Sequence, residues 1–346
     1  MKNVKRFLKS VLKQKNDLVP LSSWANDGGE ITVTIHCFVY NQEKYISRCL
    51  DSFLSQLVNF NVEILVHDDC SSDGSKAIIG EYYKKYPNII KPIFEEKNVY
   101  SKTGNFLEIA EMLNNQSKGK FIAICEGDDY WIDPLKLFLQ ASVLDNFSNC
   151  SFCVHRVKVS SDDSNYELKD NFIPSFKMTT KFLNDKRFIS IIHDGYSFQT
   201  SSYFFRKSDY DALLEKKPQY MRLMPTDDEV IIRHFGSLGD TCFIDRTMST
   251  YLQFTAGSWS KEHKDKKNDT KRSQYLRAVN EFDIYTKYKY AASCKKMILK
   301  TEVFSLMDSK KYDEIFKSKE LRKTLRKIDR KTYISLRIRR LFGKTK

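Results

Sequence analysis

A chain of 346 residues, 41% apolar and 29% charged, has enough material for one large buried core or a little more. No run approaches the ~18 to 20 apolar residues that cross a bilayer, and eight scattered cysteines show no disulfide framework, so a membrane-spanning and a disulfide-stapled protein are both set aside. The net charge of +14 is unevenly placed: residues 1–20 hold six Lys/Arg against one Asp, residues 321–346 hold eleven against one, and the middle is close to neutral.

In chain order, Val4, Phe7, Leu8, Val11 and Leu12 recur at helical spacing with Lys5, Lys9 and Lys13 between them. The lysines interrupt any signal-peptide core, and a cytoplasmic protein is expected. From Glu30 strand and helix alternate. Strands are expected at Ile31–Val39, Val62–Val66, Ile89–Phe94 and Lys120–Cys125, with helices at Glu43–Gln56, Ser75–Tyr86, Asn105–Asn114 and Asp133–Leu144. That rhythm predicts an α/β fold with a mostly parallel, Rossmann-like sheet covered on both faces. Neither a Gly-x-Gly-x-x-Gly nor a Walker loop follows the first strand.

After Cys150 the rhythm changes. Ser151–Val159 and Phe198–Phe205 read as strands around a polar insertion, Asp227–Phe235 as a helix, Thr241–Ile244 as a strand and Met248–Phe254 as an extended run. Ser260–Lys271 reads as a charged loop and Glu281–Asp308 as a helix. Leu321, Leu325, Ile328, Ile334, Ile338 and Leu341 then repeat an apolar stripe among arginines. The organisation expected is a basic amphipathic segment at 1–29, a catalytic domain at 30–260 and a charged, helical extension at 261–346. Residues 1–20 and 321–346 suit an anionic membrane surface, which would make the protein peripheral on the inner face of the cell membrane. The alternative is that the stripes pack on the domain. Nucleic acid is not expected, since aromatic platforms and recognition motifs are missing.

The chemistry lies in two acidic doublets. Asp68-Asp69 follows the strand Val62–Val66, and Asp128-Asp129 follows Lys120–Cys125. Carboxylates crowded at the carboxyl ends of parallel strands occupy the edge where such sheets bind ligands, and they repel unless a cation or hydrogen-bond donors fill the gap. A divalent metal with a phosphorylated ligand suits one doublet, and the N–H and hydroxyl groups of a nucleoside suit the other. His36 and His67 read as core or edge residues. Asp73 and Asp133 read as helix-cap or turn residues.

Four landmarks then occur in order: Thr34-Ile35-His36-Cys37-Phe38-Val39-Tyr40-Asn41, Leu50-Asp51-Ser52-Phe53-Leu54-Ser55-Gln56, Asp68-Asp69-Cys70-Ser71-Ser72-Asp73-Gly74, and Gly119-Lys120-Phe121-Ile122 leading to Glu126-Gly127-Asp128-Asp129. Together they resemble the inverting bacterial glycosyltransferases of family 2, which have the GT-A fold. The resemblance spans roughly residues 30–260. It implies a nucleotide-sugar donor, most simply a UDP-sugar, Mg²⁺ or Mn²⁺, hexosyl or N-acetylhexosaminyl transfer, and a hydroxyl acceptor on a growing, lipid-linked surface glycan. By the same resemblance Val39, Tyr40 and Asn41 line the nucleotide pocket, Asp69 reads the base, Asp128 lies near the ribose and Asp129 binds the metal, with His155 as a candidate third metal contact. Asp228 in Pro225-Thr226-Asp227-Asp228-Glu229 falls at the position of the catalytic base, with Asp227 as the alternative because it replaces the usual Gly. Trp259 either stacks on a sugar or packs in the core. Two other function classes stay open: a non-catalytic nucleotide- or sugar-binding protein, and a sugar-nucleotide nucleotidyltransferase.

Overall fold

The computed structural model describes residues 3–24, 28–103, 107–161, 171–253 and 269–341. The chain divides into two compact units, Met1–Phe188 with Tyr196–Lys217 and Thr226–Lys266, and Ile189–Gly195 with Pro218–Pro225 and Lys267–Lys346.

In the first unit, β1 (Val19–Pro20) pairs with β3 (Leu57–Val58) as a small ribbon. The main sheet holds β2 (Ile31–Val39), β4 (Asn61–Asp68), β5 (Ile90–Phe94), β6 (Phe121–Glu126), β8 (Cys150–Ser161), β10 (Lys181–Leu183), β11 (Phe204–Arg206) and β12 (Asp240–Gln253). Their order is β10-β12-β8-β11-β6-β2-β4-β5, with β7 (Tyr130–Trp131) on β12 and β9 (Phe172–Ile173) on β8. The block β6-β2-β4-β5 is parallel, as is β8 with β12, and β11 joins the two blocks antiparallel to both neighbours. The β-branched runs explain this placing: every residue of β4 is buried, as a strand covered on both faces requires. Gly119 is demanded by close approach, because a Cβ there would meet the Thr34 backbone nitrogen at 2.4 Å. The rim strand β5 carries Lys91 and Pro92, and the opposite rim strand β10 is three residues long and begins with Lys181.

The helices of this unit are α1 (Val4–Val11), α2 (Ile46–Leu54), α3 (Ser75–Lys85), α4 (Val99–Thr103), α5 (Leu107–Gln116), α6 (Lys136–Asn146), the start of α7 (Asp185–His193), α8 (Lys207–Lys216) and, beyond the short α9 (Gln219–Leu223) of the second unit, α10 (Asp227–Leu238). The N-terminal stripe is not free. Val4, Leu8 and Val11 are buried in the main core, and the Phe7 ring meets Phe147 edge-on at 5.0 Å. The structure thus favours the packing alternative for the stripe of residues 1–20.

Several expected boundaries move. The expected strand Phe198–Phe205 is a 3₁₀ turn at Thr200–Ser202 followed by the three residues of β11. Thr241–Ile244 and Met248–Phe254 merge into β12, whose pairing with β8 shifts register between Ile244 and Thr247 and again before Ser249. The second unit has its own helices, Asp269–Tyr285, Ala291–Asp308, Tyr312–Lys317, Lys319–Ile328 and Arg330–Leu341. The expected helix Glu281–Asp308 is broken there by Lys287 and Tyr288, which take left-handed φ of 52° and 61°. Most of the expected loop Ser260–Lys271 lies outside the described residues. No described helix is long and apolar enough to cross a membrane.

His36 and His67 are buried at the sheet, as expected. His36 Nε2 lies 2.7 Å from the Ser117 hydroxyl, and burial, helped by the Lys207 charge, lowers its pKa to about 3. A histidine depressed on folding binds its proton more readily when unfolded, so its stabilising effect is complete above the unfolded value of ~6.5 and fades as pH falls from there toward 3. At pH 5 this one group is expected to remove about 2 kcal/mol of stability. Urea unfolding of the parent and of His36→Gln at pH 7 and pH 5 checks this. The expected outcome is a smaller pH-dependent loss in the variant.

Candidate active site

The site forms where β2, β4 and β6 end on the same edge of the parallel block. The loop after β2 is tied to the loop after β4. Asn41 takes a left-handed φ of 53°, its N–H donates to the Ser71 hydroxyl at 2.9 Å, and its Oδ1 accepts from Ser72 N–H at 2.8 Å. Short polar side chains tolerate that backbone. Gln42 N–H donates to Ser75 Oγ, and Asp73 accepts from the N–H groups of Glu43 and Ser75. Asp73 is therefore a turn residue. Asp133 is one too, accepting from Leu135 N–H and pairing with Arg246. Val39 is buried, and Tyr40 beside it is 45% exposed.

The first doublet divides its tasks. Both oxygens of Asp69 accept backbone N–H groups at the start of α4, from Val99 at 2.6 Å and Tyr100 at 3.0 Å. Asp68 Oδ1 accepts from Ser71 N–H at 2.9 Å, while its Oδ2 is buried with no hydrogen-bond partner among the described residues. A donor N–H reaching this edge finds acceptors with lone pairs to spare.

The second doublet divides more sharply. Asp129 is buried, with Oδ1 accepting from Leu252 N–H at 3.0 Å and Oδ2 from the Gln199 amide at 2.6 Å. Gln199 is held in that orientation because its own Oε1 accepts from Ser201 N–H at 2.7 Å. Asp129 thus ties the end of β6 to the end of β12. Burial pushes its carboxyl well above the usual range, reinforced by Asp128 and Glu126, and the two N–H donors oppose this. Glu126, three residues earlier, accepts from the Thr200 hydroxyl at 3.2 Å. Burial, Asp128 and Asp228 together push Glu126 up to about 8. Glu126 thus feels the charge of Asp228 as well as that of Asp128, although a hundred residues separate Asp228 from them in sequence.

Asp228 stands in the first turn of α10, where the helix N-terminus favours negative charge. Burial raises it, followed by the charge of Glu229, against the Thr226 hydroxyl, the Glu229 N–H and Arg233. Arg233 is itself paired with Glu229 one turn along. Asp227 is pushed up to about 7 by burial and then by Asp228, and its charge adds to the burial that raises the Tyr210 phenol.

The remaining expected residues lie elsewhere. His155 is buried within β8. Its Nδ1–H donates to the Arg156 carbonyl at 2.9 Å, and burial, then the Lys136 charge, holds it neutral. No group of three or more His, Cys, Asp or Glu side chains placed to hold a metal occurs among the described residues. Trp259 lies outside the described residues. Asp129 itself has both oxygens engaged inside the fold. Glu126 and Asp128 are two crowded carboxylates of the kind a hard divalent ion takes when phosphate and water supply its other ligands. Sequence reasoning passed over Glu126, Gln199 and Thr200. The Glu-x-Asp spacing was the available signal for the first, and nothing local marks the other two.

The model of the family described as glycosyl transferase family 2 matches residues 34–210. Uncharacterized proteins of Mycobacterium bovis and Mycobacterium tuberculosis are 32% identical over 233 residues, 66% of this chain and 60% of theirs, so the matched stretch spans less than two thirds of those relatives. The poly(ribitol-phosphate) beta-glucosyltransferase of Bacillus spizizenii is 35% identical over 96 residues, 27% of this chain and 14% of that one. Among solved structures, S. aureus TarS 1–349 in complex with UDP superimposes with a TM-score of 0.55 at 15% identity, covering 86% of this chain and 81% of that one. The same fragment in complex with UDP-GlcNAc gives 0.55 at 15%, with 85% and 80% covered. At that identity the likeness is one of fold.

Proposed function

Since the chain belongs to glycosyl transferase family 2, we propose that it moves a sugar, a hexose or N-acetylhexosamine, from a UDP-sugar to a hydroxyl of a surface glycan on a lipid-linked acceptor, with inversion at the anomeric carbon. The observation that carries this reading is the carboxylate cluster at the carboxyl edge of the parallel strands, with Glu126 ending β6, Asp128 and Asp129 directly after it and Asp68 and Asp69 at the end of β4, while the charge of Asp228 is felt at Glu126. The UDP complexes of a protein with the same fold, and a relative named for glucosyl transfer to a ribitol-phosphate polymer, support the donor and acceptor classes.

In this mechanism residues 30–260 carry the reaction. The base and ribose lie along Val39, Tyr40 and Asn41, with Asp69 accepting from the base N–H. Glu126 and Asp128 would hold Mg²⁺ or Mn²⁺, which supplies positive charge to the departing diphosphate. Asp228 accepts the proton of the acceptor hydroxyl as its oxygen attacks the anomeric carbon from the side opposite UDP. The Thr226 hydroxyl keeps that carboxylate oriented, and Arg233 balances Glu229 so that Asp228 works beside one uncompensated neighbour fewer. Asp129, through Gln199 and Leu252, fixes the walls around them.

Release of the free nucleotide (UDP, GDP or CMP) from a panel of UDP-, GDP- and CMP-sugars, with Mn²⁺, with Mg²⁺ and with chelator, tests the reading. Turnover of a UDP-sugar that stops on chelation is expected. Release only from a GDP- or CMP-sugar would overturn the donor assignment, and binding without any turnover would favour the non-catalytic reading.

A further inference from the structure

In the second unit, Val303, Ile315, Phe316, Leu321, Leu325 and Leu336 form a small core of their own. The helix Arg330–Leu341 feeds Leu336 and Tyr333 into it, and Tyr333 stacks on Phe316 at 6.0 Å. Its opposite face is left uncovered by the described residues. Ile334 and Ile338, one turn apart, are 45% and 49% exposed, in a shallow depression lined also by Lys331, Ser335 and Arg339. Arg330 and Arg337 are exposed on the flank of the same pair.

The charge around this face is one-sided. From Lys319 to Arg340 there are ten Lys/Arg against Glu320 and Asp329. Glu320 is paired with Lys295 at 2.7 Å, and Asp329 caps the helix by accepting from Thr332 N–H at 2.9 Å and from its hydroxyl at 2.6 Å. Asp329 also feels the charge of Lys331 and so offsets part of it, which leaves Arg337 and Arg339 as the cations beside the isoleucines with no acid from this stretch set against them. This is where the two basic ends of the chain differ: the apolar stripe of α1 is spent in a core, and that of Arg330–Leu341 is split between a core and the outside.

We propose that the face Lys331-Ile334-Ile338-Arg339 seats on an anionic lipid bilayer, the two isoleucines entering the headgroup boundary while the flanking Lys and Arg reach the lipid phosphates. The isoleucines decide for lipid over a soluble polyanion such as nucleic acid, which would leave them in water. The nearby rings that could stack on bases, Tyr333 and Phe316, are turned inward. A second copy of the chain is disfavoured because the face would meet its own positive charge. The inference stands apart from the transfer reaction, since it is read without donor or acceptor.

Co-sedimentation with phosphatidylglycerol/phosphatidylcholine vesicles across a salt series is the test, using the full chain, Ile334→Ser/Ile338→Ser and Lys331→Gln/Arg337→Gln/Arg339→Gln. All five positions are exposed, and unchanged thermal unfolding confirms intact variants. The parent is expected to bind the anionic vesicles and to leave phosphatidylcholine alone. The charge variant should bind about tenfold or more weakly at low salt, and the isoleucine variant should lose the part of the binding that survives high salt. Equal partition of the parent and the isoleucine variant at every salt concentration, or release of both alike by soluble polyphosphate, would overturn the lipid assignment. So would failure of the parent to bind. Sugar release from the donor, measured on the same preparations with a soluble acceptor, reports separately on the transfer reading.

Discussion

Asp228→Asn is expected to lower turnover by ~10²-fold or more, equivalent to ~2.7 kcal/mol of barrier, with donor affinity changed little. The amide keeps the size of the carboxylate and can still accept from the Thr226 hydroxyl, but it cannot take a proton from the acceptor. The pH dependence supplies a second readout. Burial and Glu229 raise the Asp228 carboxyl, so activity should climb with pH through a limb above the ordinary carboxylate range. That limb should vanish in the variant, because the group that must lose its proton is gone. Asp227→Asn separates the neighbours. Asp227 acts on Tyr210, whereas Asp228 acts on Glu126, so the Asp227 variant should retain most of its turnover. Loss of turnover with intact donor binding in Asp227→Asn alone would move the base by one residue.

The second doublet should split into a binding residue and a building residue. Asp128→Asn is expected to abolish the gain in UDP affinity on adding Mn²⁺ without loss of stability, since it removes one of several crowded like charges. Asp129→Asn should do the reverse, lowering stability by ~1–3 kcal/mol. Its new NH₂ group must face either the Leu252 N–H or the Gln199 amide, and Gln199 cannot flip without abandoning Ser201 N–H. Calorimetry with UDP, with and without Mn²⁺, beside urea unfolding of both variants measures the two effects. Metal-enhanced binding lost in Asp129→Asn and kept in Asp128→Asn would assign the metal to Asp129, as the family resemblance implies.

The parallel half of the sheet is legible because its strands are buried on both faces and read as unbroken β-branched runs. Ile31–Val39 is found at its expected bounds, and the strands around Val62–Val66, Ile89–Phe94 and Lys120–Cys125 move by only one or two residues. The antiparallel link is another matter. Phe198 to Phe205 has the apolar content of a strand, but Gln199 folds back on Ser201 and turns the chain, a preference set by the distant Asp129. The break after Tyr285 was hidden for a related reason: Thr286-Lys287-Tyr288-Lys289 contains no Gly or Pro, and two ordinary residues accept left-handed backbone there. At the site, the doublets themselves announced the chemistry. Which carboxylate faces the ligand and which faces the fold depends on partners in β12 and before β11, and no local pattern encodes that.

The rims of the main sheet bear on how copies of this protein can meet. An edge strand offers unpaired N–H and C=O groups to any passing strand, and association through such edges leads to open-ended stacking. On β5 the second residue is a lysine and the third a proline, which lacks the N–H a new partner would require. On β10 the edge ends after three residues, too short to template a neighbour of useful length. Strand-to-strand addition is therefore disfavoured at β5 and at β10. Two molecules that meet at β5 or at β10 find little backbone template to extend, so association at these rims has to be built from side-chain surfaces and can be tuned by single exposed substitutions.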